Sequence, residues 1–212
     1  MKFVIGNWKM NGSADELDYM IRRLNDIGAD CAICVPFTLI RPGTGRISIG
    51  AQDCSMHESG SFTGEISPEM IKAAGGGLVI VGHPERRKYF GETDEIVRRK
   101  AENAVKSGLL PIICVESAAS ALACAPGSGN FFIVFEPAES AGANVQPVSK
   151  ISQMADEIKA ALPDATILYG GGAFVQNARE ILEIRNISGL LCGRASLKIE
   201  TFAPIIELAK EF

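Results

Sequence analysis

Eight short apolar runs, each nearly continuous in hydrophobicity, recur along the sequence. Runs of this kind are typical of parallel strands that are buried on both faces. Amphipathic patterns of helical period lie between most of them, and this alternation predicts a parallel α/β fold. The predicted strands are 3–5, 32–35, 47–49, 78–81, 109–115, 131–135, 165–169 and 189–192. The predicted helices are 13–27, 67–75, 93–107, 147–161, 174–184 and 198–210.

Eight such strands in 212 residues predict a closed (β/α)8 barrel, formed as a single domain by residues 1–212. The alternative is an open, doubly wound sheet. Against it, the segment GNWKMNG (6–12) follows the first strand where such sheets carry G-x-G-x-x-G. Two connections are short, because 36–46 holds two prolines and two glycines and only 116–123 has helical character after strand five. We therefore expect the helices after strands two and five to be shortened or absent.

Composition and charge exclude several functional classes. The chain has 25 acidic residues against 21 Lys and Arg, a formal charge of -4, so nucleic acid is not an expected partner. No run approaches the roughly 20 apolar residues of a membrane span, and the N-terminal run is too short for a signal peptide. We therefore expect a cytoplasmic protein with no membrane partner.

Six cysteines without a signal segment indicate reduced thiols. Cys31 and Cys34 form a C-x-x-C motif, but it lies within a predicted strand, where residues three apart face opposite sides. No second pair completes a zinc site. We expect both cysteines to be core residues.

Polar side chains follow three of the predicted strands. Asn7 and Lys9 follow the first, His83 the fourth and Glu136 the sixth. In a barrel the C-terminal ends of the strands meet at one mouth, so these side chains should converge. The set suits removal of a proton next to a carbonyl group. Taken singly, each also fits an ordinary role, as a turn asparagine, a surface lysine, a loop or core histidine, or a helix-start glutamate.

Glycines accumulate after strands six, seven and eight, at Gly142, Gly170 to Gly172 and Gly193. Small residues allow backbone N–H groups to approach an anion, and barrels commonly bind phosphate after strands seven and eight. A second triplet at 75–77 is expected to end a helix before strand four. The pattern predicts a phosphate site beside the polar cluster.

These segments resemble the triosephosphate isomerase family, in the same order along nearly the whole chain. The matching motifs are GNWKMNG (6–12), QDC (52–54), FTGEIS (62–67), GHPERR (82–87), FGE (90–92), FEP (135–137), YGG (169–171) and ASL (195–197). The resemblance implies the interconversion of dihydroxyacetone phosphate and D-glyceraldehyde 3-phosphate through an enediolate, in glycolysis and gluconeogenesis. It also implies a small triose phosphate as substrate and no metal or cofactor.

The resemblance also implies roles for individual residues. Glu136 would shuttle the proton between two carbons, while His83 and Lys9 stabilise the developing oxyanion. A helix starting at Pro84 would keep His83 neutral and able to donate a hydrogen bond, a behaviour for which this family is the standard illustration. Glu85 is expected to pair with Lys9 and orient it. The implied substrate-binding residues are Asn7, Lys9, Gly142, Gly172, Gly193 and Arg194.

Four features depart from the family's pattern. Pro84 replaces a serine, which the first position of a helix tolerates. The lid, AESAGAN at 138–144, lacks the usual tryptophan and Gly-Thr-Gly ending and looks more like the compact, archaeal-type branch. Gly172 replaces another serine, and Arg194 replaces a glycine. The sequence leaves open whether Arg194 obstructs the phosphate site or adds a charge-assisted contact to it.

The third loop, 53–66, keeps the family's length. In that family the loop inserts into the neighbouring subunit, and its threonine, here Thr63, braces the other chain's lysine and asparagine. We therefore expect a homodimer, with His57 an exposed or interface residue. Two other functions stay open at this point: a non-catalytic or weakly active relative that binds phosphosugars, and an isomerase of another small phosphosugar.

Overall fold

The computed structural model describes residues 2–137 and 145–212. Within these ranges eight parallel strands close into a barrel in the order β1 to β8. The closure is made by β1 and β8, which pair in the register Phe3 with Gly189. This confirms the predicted barrel and excludes the open sheet. The strands are β1 (Phe3–Asn7), β2 (Cys31–Cys34), β3 (Ile47–Ala51), β4 (Leu78–Val81), β5 (Leu110–Val115), β6 (Phe132–Phe135), β7 (Thr166–Tyr169) and β8 (Gly189–Cys192).

The described residues form eight α-helices around the barrel. Four of them begin at a Ser or Thr whose side chain accepts a hydrogen bond from a backbone N–H of the first turn. The connection after β2 contains only a three-residue 3-10 helix, Phe37–Leu39. The helices are α1 (Ala14–Asp26), α2 (Pro68–Ala73), α3 (Pro84–Phe90), α4 (Asp94–Lys106), α5 (Ala118–Cys124), α6 (Val148–Ala161), α7 (Val175–Leu182) and α8 (Ile199–Ala209).

Helix α2 is shorter than the sequence pattern predicts. Helix α2 ends at Ala73, shorter than the predicted 67–75, because Gly75 adopts a positive φ of 100° that closes the helix. Helix α5 has seven residues, about two turns. In the part of the chain that the structure describes, none of the helices combines the length and the apolar character of a membrane span.

The core has two layers, one inside the barrel and one between the strands and the helices. Cys34 belongs to the inner layer and Cys31 to the outer layer, and both are free and buried. Burial raises the pKa of the Cys31 thiol to about 12. The C-x-x-C motif is therefore a pair of core residues on opposite faces of β2, as the strand period predicts.

Candidate active site

A cavity of about 420 Å³ lies at the C-terminal ends of β1, β4, β6, β7 and β8. Gly142 lies outside the described residues, and Thr63 is exposed and away from the cavity. The predicted site residues that line the cavity are Asn7, Lys9, His83, Glu85, Glu136, Gly172, Gly193 and Arg194. Gly170, from the glycine run marked in the sequence, also lines the cavity. The wall further contains residues that were not predicted as site residues: Trp8, Asn11, Ala173, Phe174, Leu191 and Leu197.

His83 is the N-cap of α3 and is only 5% exposed. Its Nδ1 accepts a hydrogen bond from the backbone N–H of Glu85 at 3.2 Å. In a neutral imidazole one nitrogen accepts and the other donates, so this bond places the ring proton on Nε2. Nε2 lies 3.2 Å from Oε1 of Glu136. The helix start thus orients the imidazole with its N–H towards the cavity.

Lys9 and Glu85 form an ion pair, with 2.6 Å between Nζ and Oε1. Lys9 has a φ of 52° and is the only non-glycine residue at positive φ in the described part of the chain. Such a conformation is strained for a residue that has a Cβ atom. The Asn7 side-chain oxygen, which accepts from the Lys9 backbone N–H at 3.1 Å, helps to hold it. The expected pairing of Lys9 with Glu85 is confirmed.

Glu136 directly follows β6, and its backbone N–H donates to the Val115 carbonyl at 2.9 Å. Its Oε2 is buried and accepts no hydrogen bond from any described residue. Gly170 lies against this carboxylate, because a Cβ there would be 3.0 Å from Oε2. The carboxylate is thus held against a glycine, with one oxygen free to take up a proton.

Cys114 lies close to Glu136, and sequence reasoning missed it. It lies in the inner core layer and is fully buried. Burial, and then the nearby charge of Glu136, raise the pKa of the Cys114 thiol well above its ordinary value. In the sequence it reads as one more apolar strand residue. Only the pairing of β5 with β6 brings it beside the glutamate.

The other side of the cavity is built from backbone after β7 and β8. Gly172 has a φ of 91°, which only glycine adopts readily. Gly193 lies beside Lys9, since a Cβ at 193 would be 3.8 Å from the Lys9 Cε. Arg194 begins a 3-10 helix, Arg194–Leu197, and has no positive φ. The backbone at 194 therefore accepts a side chain without strain.

A network of ion pairs, made mostly by buried side chains, holds α3 in place. Arg86 lies 2.8 Å from Asp53 and 2.8 Å from Glu92, while Lys100 lies 2.7 Å and 2.5 Å from the same two carboxylates. Burial, only partly opposed by Lys100, raises the pKa of Asp53. The network joins the start of the third loop to α3 and α4. Its members are far apart in sequence, so no local pattern marks them as a group.

The geometry combines a buried carboxylate, an oriented imidazole N–H, an ammonium group and a glycine-rich wall. This arrangement can remove a proton next to a carbonyl group and stabilise the resulting oxyanion. The glycine-rich wall can accept a phosphate. No three His, Cys, Asp or Glu side chains within 2–137 and 145–212 are grouped so that they could hold a metal ion.

Comparison with known proteins agrees with this geometry. The family model described as triosephosphate isomerase matches residues 2–209. A triosephosphate isomerase of Afipia carboxidovorans is 38% identical, covering 96% of each chain, and one of Ruegeria sp. is 36% identical, covering 97% of this chain and 96% of its own. The solved triosephosphate isomerase of Bartonella henselae superimposes with a TM-score of 0.88 at 31% identity, covering 99% of both chains.

Proposed function

Because this chain belongs to the triosephosphate isomerase family, we propose that the residues of its cavity carry out that family's reaction in the roles described here. The protein is an isomerase that interconverts dihydroxyacetone phosphate and D-glyceraldehyde 3-phosphate. The observation that carries the assignment of roles is the 3.2 Å separation of His83 Nε2 and Glu136 Oε1. This short distance supports a base and a hydrogen-bond donor that act on adjacent atoms of one small substrate.

Glu136 removes the proton from C1 of dihydroxyacetone phosphate. The electrons of the C–H bond form a double bond between C1 and C2, and the oxygen on C2 takes the negative charge. His83, through Nε2–H, and Lys9, through its ammonium, stabilise that oxygen. His83 then transfers the hydroxyl proton from O1 to O2, and Glu136 returns its proton to C2. A positioned base of this kind contributes about 10²–10⁴-fold in rate.

The phosphate of the substrate binds to the glycine-rich side of the cavity. Backbone N–H groups near Gly172 and Gly193 can approach an anion closely because no side chain shields them. Asn7, buried at the end of β1, positions the substrate. Gly142 is predicted to add a further N–H.

The decisive experiment is the isomerisation of D-glyceraldehyde 3-phosphate by the purified protein and by Glu136→Gln. Glu183→Gln, which removes an exposed carboxylate outside the cavity, is the matched control. We expect turnover in the wild type and the control and its loss in Glu136→Gln. A folded wild type without turnover, or full turnover by Glu136→Gln, contradicts the proposal. Binding of triose phosphate without turnover would instead favour a non-catalytic relative.

We also propose that two copies of the chain form a homodimer through the third loop, 53–66. Phe62 and Thr63 are exposed near its tip, and the Phe62 ring stacks on His57 with 3.8 Å between centroids. Met10 and Tyr89 are also strongly exposed. These side chains all follow the C-terminal ends of strands, and exposed apolar residues grouped at one end of the barrel support a surface that another chain covers.

Two further features concern the location and the domain organisation of the protein. The six cysteines are all free and buried, which fits a reducing compartment and supports a cytoplasmic location. The strands from Phe3 to Cys192 share one barrel, and the backbone N–H of Lys2 donates to the carbonyl of Ala209 in α8. These links between the two ends of the chain support a single domain.

A further inference from the structure

Arg194 lines the active-site cavity with a guanidinium that has no partner in the described part of the chain. It is exposed, and it makes no hydrogen bond or ion pair with any residue of 2–137 or 145–212. Lys9, the other cation of the described cavity wall, is already paired with Glu85 at 2.6 Å. Arg194 is thus the one cation described there that has no carboxylate partner.

The balance of charge shows why such a cation matters. The charged side chains of the described cavity wall are Lys9, Arg194, Glu85 and Glu136. Glu85 neutralises Lys9, and Glu136 must be ionised to act as a base. Without Arg194 the described wall would therefore present a net negative charge to a phosphate ester, which carries close to two negative charges at pH 7. Like charges in a partly buried cavity repel strongly.

The phosphate side of the cavity is also poor in side-chain donors. Gly172 contributes backbone alone, at a position where the resemblance places a serine hydroxyl. Its φ of 91° disfavours any side chain. Gly193, beside Lys9, likewise offers only backbone. The side chain of Arg194 starts directly after Gly193, so its fork of N–H groups is anchored at this side of the cavity.

We propose that the Arg194 guanidinium binds the substrate phosphate directly, supplying the charge and the side-chain donors that the glycine-rich wall lacks. This inference rests on the proposed function and deepens it, because it makes Arg194 the residue that selects dianionic phosphate esters. Guanidinium and phosphate form paired, charge-assisted hydrogen bonds that a point charge does not reproduce. The guanidinium of Arg194 is therefore suited to donate hydrogen bonds to the phosphate.

The test compares Arg194→Gln with the wild type on two substrates, D-glyceraldehyde 3-phosphate and phosphate-free D-glyceraldehyde. We expect the KM for the phosphorylated substrate to rise roughly tenfold to a hundredfold, the usual effect of losing a hydrogen bond to a charged group. The KM for D-glyceraldehyde, which has no phosphate, should change by a much smaller factor. Arg194→Lys should recover part of the loss, because it restores the charge without the fork.

The matched control is Arg185→Gln. Arg185 is exposed and lies between α7 and β8, at the opposite end of the barrel from the cavity. The variant removes the same charge, so an equal rise in KM would mean that net charge alone acts at long range and would overturn the inference. Unchanged KM in Arg194→Gln, or a lower KM in Arg194→Gly as expected for an obstructing side chain, would overturn it too.

Binding of inorganic phosphate, measured by calorimetry, separates this inference from the proposed function. If the wild type binds phosphate but has no turnover, the proposed function fails, and weaker phosphate binding by Arg194→Gln still supports the inference. Equal phosphate affinity in both proteins overturns the inference, whether or not the wild type is active.

Discussion

His83 Nε2 and Glu136 Oε1 lie 3.2 Å apart, although the two residues follow strands β4 and β6, which are separated in the barrel by β5. Both side chains are largely buried, with 6% and 14% of their surfaces exposed. In such surroundings electrostatic interactions are stronger than in water. The proposed donor and base are therefore already positioned, without substrate, to reach neighbouring atoms of a small molecule that binds between them.

Replacing His83 should separate its two roles. His83→Ala loses both the helix cap and the N–H donor, so we expect a loss of about 1 kcal/mol in the free energy of unfolding and a 10²–10³-fold lower kcat. His83→Asn keeps a cap, because its side-chain oxygen can accept from the Glu85 N–H. We expect near-normal urea unfolding and low kcat. Recovery of turnover by His83→Asn would show that capping is the main role.

Gly170→Ala should impair catalysis more than folding. The new Cβ would lie 2.8 Å from Val134 Cγ1 and 3.0 Å from Glu136 Oε2, so the carboxylate must shift. We expect at least a tenfold lower kcat, because small displacements of a base are costly. Gly127→Ala is the control, since its Cβ meets nothing within 4 Å and its φ is not positive. Equal kinetics for the two variants would contradict the expected displacement.

The stability contribution of Asp94 should depend on pH. Burial alone would raise its pKa, but hydrogen bonds from Ser120, Cys124 and Arg87 outweigh that effect and lower the pKa from 3.8. The folded state thus binds this proton less tightly than the unfolded chain. The stabilisation is fully present above about pH 3.8 and is lost as the pH falls through the lowered value.

Asp94→Asn should therefore unfold more easily than the wild type at pH 7, and the difference should shrink as the pH falls below 3.8. Urea unfolding at a series of pH values measures this difference. The control, Asp164→Asn, changes an exposed carboxylate and should leave the free energy of unfolding nearly unchanged. If the difference in the free energy of unfolding between Asp94→Asn and the wild type does not vary with pH, the stabilisation does not come from the charge of Asp94.

Lys100→Met should destabilise the fold strongly. Lys100 is only 5% exposed and neutralises Asp53 and Glu92, so its removal leaves two buried carboxylates with Arg86 alone. We expect a loss of about 3–5 kcal/mol in the free energy of unfolding. Lys106→Met, on the same helix, breaks an exposed pair with Glu58 and should cost less than about 1 kcal/mol. Similar losses in the free energy of unfolding in both variants would show that burial does not determine how much each ion pair contributes to stability.

Thr63→Arg should weaken the proposed dimer. Thr63 is exposed in the third loop, so the change should leave the fold of one chain intact while placing a charge in the contact. We expect a lower sedimentation coefficient at micromolar concentration and reduced turnover. Ser128→Arg adds the same charge in another exposed stretch and should leave the association unchanged. A monomeric wild type with full turnover would contradict the proposed dimer.

Much of the fold could be predicted because burial leaves a local signature. Strands buried on both faces must be apolar at nearly every position, and helices that cover them carry apolar residues at helical spacing. If the strands form a closed barrel, their C-terminal ends meet at one mouth. The predicted strand ends therefore bring together Asn7, Lys9, His83 and Glu136. The end of α2 was less predictable, because it depends on the positive φ of Gly75.

Sequence periodicity and motif spacing thus account for the strands, their order and the four candidate site residues that follow them. The tertiary structure adds the contacts between residues distant in the chain: Lys9 with Glu85, Cys114 beside Glu136, Lys100 with Asp53 and Glu92, and the free guanidinium of Arg194. Local patterns report whether a residue is buried, whereas its partners depend on how the barrel closes. The chemistry of the site depends on those partners, because they set the orientation and the charge of each group.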